Sequence, residues 1–162
     1  MDNSELSFLM SENLPSISYQ KKMRYRTNDN EVENLYKLIN QSIFDNVLIM
    51  PELEVRGRCR KYWGMCFGEF EKPNEANTYC KIRVMDKWFC KQWLITTLAH
   101  EMCHQYQWDI IGAERKNQGK DPLMSHGPTF FIHRTKLAEH GISLKKYHGM
   151  RRWFRTQDFF KS

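Results

Sequence analysis

The sequence predicts an α+β domain, and three observations carry that expectation. A helical apolar period occupies residues 29–45, three short strand patterns fall between 52 and 85, and a second helical pattern follows Asp86. A chain of 162 residues suits one domain with a modest core.

Taken in order, residues 1–27 are polar with scattered apolar positions and no sustained period, so they read as a flexible N-terminal tail. The single domain is expected over 28–162. Asn28, with Glu31 three residues on, is a helix start: a short side-chain acceptor followed by an acid. Val32, Leu35, Tyr36, Ile39 and Ile43 then recur at helical spacing, and the helix ends near Asp45 and Asn46. Strands are expected at Glu52–Val55, Trp63–Phe70 and Thr78–Met85. The last alternates, with Cys80, Ile82 and Val84 on one face and Lys81, Arg83 and Met85 on the other. Gly64 and Gly68 interrupt the middle strand and mark a bulge or a close backbone approach.

Asp86 is the expected cap of the long helix that follows, in which Leu94, Leu98 and Met102 repeat every four residues. Ile111, Gly112 and the segment 113–124 read as a polar loop. Ser125-His126-Gly127-Pro128 then leads into a helix from about Thr129 to Glu139, with Pro128 suited to its first turn and Gly141 ending it. The stretch 145–155 interleaves basic and aromatic residues.

The chemistry lies on the long helix. His100 and His104 are one helical turn apart, so their rings leave one face, and Glu101 stands between them. In this H-E-x-x-H arrangement two imidazoles hold zinc and the carboxylate handles a proton. With 6 His in 162 residues, chance places roughly 0.02 such motifs in the chain, so the motif alone does not decide. The competing reading is a surface helix with two satisfied histidines.

Catalytic zinc keeps three protein ligands and one open position. The continuation H-x-x-G-x-x-H is excluded, because Gln107 and Ile110 stand where it needs Gly and His. Glu114 and Glu139 are possible carboxylate ligands without special surroundings. Among the remaining histidines, His126 is favoured over His133, His140 and His148, because it lies just before a helix start where a Gly-Pro turn can fix its direction. His133, beside Phe130 and Phe131, reads as a packed core histidine.

The composition sets further bounds. The 5 cysteines contain no C-x-x-C pair, which excludes a zinc ribbon and argues for free thiols; Cys103 reads as packing. No apolar run is long enough to span a bilayer and no signal pattern opens the chain, so the expected setting is intracellular: cytoplasmic or nucleoid-associated, not secreted. A monomer is favoured. The net charge of +6 suits an anionic partner such as nucleic acid.

His100-Glu101-Met102-Cys103-His104, followed by Ser125-His126-Gly127-Pro128-Thr129-Phe130 and then His133, resembles the SprT-like (Spartan) zinc metalloprotease domain. The resemblance runs over roughly residues 28–140. It implies a zincin-like fold in which the C-terminal helix carries the third ligand at its start, Zn2+ held by His100, His104 and His126, and a catalytic Glu101. It further implies a protein substrate bound or crosslinked to DNA. No Cys follows Cys103, so the Cys-based zinc module that helps many members engage DNA is missing here. Lys145, Lys146, Arg151, Arg152, Trp153 and Arg155 are the candidate nucleic-acid contacts in its place. Two alternatives stand beside this reading: a DNA-binding protein whose zinc is structural, and a metallopeptidase unrelated to DNA.

Overall fold

The computed structural model describes residues 4–12, 25–57, 62–68, 75, 77–120 and 126–146. Its architecture is mixed α+β, with helices packed against two small sheets. Helix α2 (Asp29–Phe44) forms as its spacing requires. The Asn28 side chain accepts the Glu31 N–H at 2.9 Å, and Val32, Leu35, Tyr36, Ile39 and Ile43 are all buried. The helix ends where Asp45 turns left-handed, with φ 52°.

Strands β2 (Glu52–Arg56), β3 (Gly64–Gly68) and β4 (Cys80–Met85) make a three-stranded sheet in the order β2-β4-β3. Strand β4 is parallel to β2 and antiparallel to β3, with Ile82 opposite both Leu53 and Cys66. The expected alternation holds for Cys80, Ile82 and Val84, each only 1% exposed. Across the outer face, the Glu54 carboxylate takes a hydrogen bond from Arg83 Nε at 2.8 Å and an ion pair from Lys81. These cations hold its carboxyl well down, at about 2.

The two glycines of β3 mark a close approach. A Cβ on Gly64 would lie 2.8 Å from Thr97 Cγ2, and one on Gly68 would lie 1.9 Å from the Trp108 ring. The strand therefore lies directly on the helical layer that carries the histidines.

Helix α3 (Lys91–Tyr106) is central. Every residue from Gln92 to Cys103 is buried, so the surface-helix reading does not hold. Its start also departs from expectation. Lys87–Trp88 forms strand β5, antiparallel to β1 (Tyr25–Arg26), and the N-cap is Cys90, without a side-chain cap bond. Asp86 instead serves through its backbone, bonding Thr27 and Arg56 between the sheets. Trp88 and Trp93, both fully buried, meet edge to face at 5.7 Å and anchor this end of the helix.

Three further expectations are corrected. The tail reading fails for Ser4–Ser11, which is helix α1 with Leu6 and Met10 buried. Two apolar residues four apart suffice there, because the core supplies the surface they cover. The polar loop after Gly112 fails as well: a π-helical turn (Gln107–Gly112) continues α3 directly into α4 (Ala113–Asn117). Glu114, Arg115 and Lys116 are good helix formers, and no proline stops the chain. Finally, Pro128 opens a run of turns over 128–133, and helix α5 begins only at Arg134 and ends at Glu139. His126 thus sits on a turn ahead of the helix, not at its start. Phe130 N–H bonds Gly127 O and Phe131 N–H bonds Pro128 O, a tightening that buries the Phe130 ring completely.

Candidate metal centre

The three imidazoles of the candidate site come from two elements. His100 and His104 project from one face of α3, and the 126–130 turn brings His126 against them. One ring nitrogen from each of the three lies within 4.8 Å of the others. His104 Nε2 and His126 Nε2 are 3.1 Å apart. Two nitrogens at 2.0–2.1 Å from one tetrahedral zinc stand about 3.3 Å apart, so the His104–His126 pair matches the spacing of two ligands on one metal ion.

Phe130 forms the floor. Its ring lies 4.8 Å from His100, 4.6 Å from His104 and 4.8 Å from His126, and it is fully buried. Burial pushes the imidazoles of His104 and His126 below their ordinary value, and the Lys146 ammonium adds to the effect on His126. The neutral imidazole is the form that binds metal.

Glu101 lies beside the cluster, 6% exposed, with Oε1 3.9 Å from His100 Nε2. Burial pushes its carboxyl up to about 8, while a hydrogen bond from the Cys66 backbone favours the anion. Strand β3 therefore holds the carboxylate in place. A backbone donor of this kind has no signature in the sequence.

The remaining predicted residues are placed elsewhere. Glu114 and Glu139 are exposed on α4 and α5. His140 Nδ1 bonds Ser7 Oγ at 2.7 Å. Cys103 is 1% exposed and burial pushes its thiol far up, in keeping with packing. Lys145 is half-buried and Lys146 exposed. His148, Arg151, Arg152, Trp153 and Arg155 lie outside the described residues.

His133 is away from the cluster, its ring 4.5 Å from both Phe44 and Tyr106. Burial and the Lys136 charge push it down to about 4, against a weaker pull from Asp45, which pairs with Lys136 at 3.0 Å. Above about pH 6.5 the ring is neutral whether folded or unfolded. Between 6.5 and 4 the unfolded chain takes up a proton that the folded chain refuses, so stability falls with pH across that window. His133→Phe is expected to recover on the order of 1–2 kcal/mol of the acid loss after allowance for partial exposure. Urea midpoints at pH 7.5 and 4.5 measure this; an identical acid loss in wild type and variant rules it out.

Comparison with known families decides the kinship, since the SprT-like family model matches residues 32–148. The chain belongs to the SprT-like family. A comparison with curated proteins finds no match. The SprT-like span opens within α2 and takes in the three-stranded sheet, α3, the 126–130 turn and α5, so the whole histidine cluster lies inside it. Helix α1 and strand β1 precede it. SprT-like domains are metalloprotease-like, and three histidines able to hold a metal ion agree with that. No helix of the described residues is long and apolar enough to cross a membrane.

Proposed function

We propose that this SprT-like chain is a zinc-dependent protease of zincin-like fold, with His100, His104 and His126 as metal ligands and Glu101 as its proton-transfer residue. The observation that carries the reading is the convergence of the three imidazoles, with a buried carboxylate beside them. When bound, zinc supplies Lewis acidity, acidifying water and polarising a carbonyl oxygen. Glu101, held by the Cys66 backbone, takes the proton of the attacking water on a carboxylate oxygen and passes it to the leaving amine. Its burial suits the proton-accepting step, because a desolvated carboxylate is a stronger base than one in water.

The structural-zinc alternative is disfavoured. Structural sites are closed by four protein ligands, whereas three gather here among the described residues.

Proteins bound or crosslinked to DNA are the proposed substrates. The net charge of +6 supports this, as does the cationic Lys146, whose charge reaches His126. The test is digestion of a protein–DNA crosslink, and of the same protein free, by the zinc-loaded chain. Cleavage of the crosslink, enhanced by DNA and weakened by salt, is expected. Equal cleavage of the free protein points to a metallopeptidase unrelated to DNA, and no cleavage by fully zinc-loaded chain overturns the protease reading. His126→Ala is expected to lower zinc content along with activity; a full equivalent of zinc in that variant removes His126 from the ligand set.

A further inference from the structure

We infer that Gln107 is the positioning residue of the metal centre: it sets the tautomer and direction of the His104 ring and ties that ring to the turn bearing His126. The inference rests on the metal-centre reading above. Gln107 is fully buried and occupies the first position of the π-helical turn that follows α3. A π turn shifts the ladder by a residue and re-aims side chains, and here Gln107 points back to its third neighbour on α3. Its Oε1 lies 2.8 Å from His104 Nδ1, and its Nε2 lies 3.0 Å from Thr129 Oγ1.

With the Gln107 oxygen facing His104 and its amide nitrogen facing Thr129, His104 Nδ1 carries the proton and donates, since a carbonyl oxygen only accepts. That leaves the lone pair of His104 on Nε2, the nitrogen facing His126 Nε2 at 3.1 Å. The reverse tautomer would direct an N–H into the space where the three donors meet. The same amide donates to Thr129, between Pro128 and Phe130 and three residues after His126. One side chain therefore links the element carrying two ligands to the turn carrying the third.

Gln107→Glu and Gln107→Met separate this role from simple packing. A carboxylate can accept from His104 Nδ1–H and from the Thr129 hydroxyl, so it preserves both links; a thioether fills the space and preserves neither. Co2+ titration followed by visible absorption, with Zn2+ competition, reads the centre in the full chain without requiring activity. Gln107→Met is expected to bind 10–100-fold more weakly with altered cobalt bands, and Gln107→Glu to stay within about threefold of wild type. Metal-free melting of both variants checks that the fold persists. Wild-type affinity in Gln107→Met, or equal losses in Met and Glu variants at matched melting, overturns the inference. If the wild type itself takes up neither metal, the metal-centre reading fails first and this inference falls with it.

Discussion

Glu101→Gln is expected to retain zinc and to lose peptide hydrolysis. The substituted amide is nearly isosteric with the carboxylate and can still accept the Cys66 backbone hydrogen bond through its oxygen, so the local packing is kept. It cannot take a proton from water. General acid–base assistance is worth about 10²–10⁴-fold, and the rate is expected to fall by at least that factor. The metal-free variant should be no less stable than the wild type, because a neutral amide replaces a group that burial already disfavours in its charged form. Zinc content by atomic absorption, with single-turnover cleavage, measures both halves. Turnover within tenfold of wild type would exclude the proton-transfer role.

Phe130→Ala is expected to damage both the fold and the metal centre. The ring is fully buried and touches the rings of all three candidate ligands at centroid distances between 4.6 and 4.8 Å. Removing it opens a cavity beneath the site, at a cost of about 3–5 kcal/mol in the metal-free protein. The three imidazoles also lose the surface that fixes their orientation, so zinc affinity falls as well. Phe131→Ala is the control: its ring is half-buried, it meets Phe130 edge to face at 5.0 Å and it makes no contact of this kind with the three histidines. Urea unfolding and zinc competition compare the two. A Phe130→Ala loss no larger than that of Phe131→Ala would show that the ring is not the floor of the site.

The legible parts of this protein were those governed by local spacing. Asn28 and Glu31 announce the start of α2, and its apolar period matches the residues found buried. The alternation of Cys80, Ile82 and Val84 sets the inner face of β4. His100, Glu101 and His104 require only helical geometry to share a turn. Helix α1 was not legible, because its stability comes from Leu6 and Met10 entering a core built by residues far along the chain. The continuation of α3 through Asn117 was hidden by polarity, since exposed charged residues suit a helix as well as a loop.

The site divides along the same line. Sequence by itself determined the types of the candidate ligands, the face shared by His100 and His104, and the place of Glu101 between them, because residue identity and backbone periodicity alone dictate these. Only the tertiary structure brought His126 to within 3.1 Å of His104, set Phe130 beneath the three rings, aimed the Cys66 N–H at Glu101 and joined Gln107 to both His104 and Thr129. Apart from the local His104–Gln107 and His126–Phe130 pairs, each of these contacts crosses between separate elements. Their geometry follows from how β3, α3 and the 126–130 turn pack, and packing is set by the shape of the whole core.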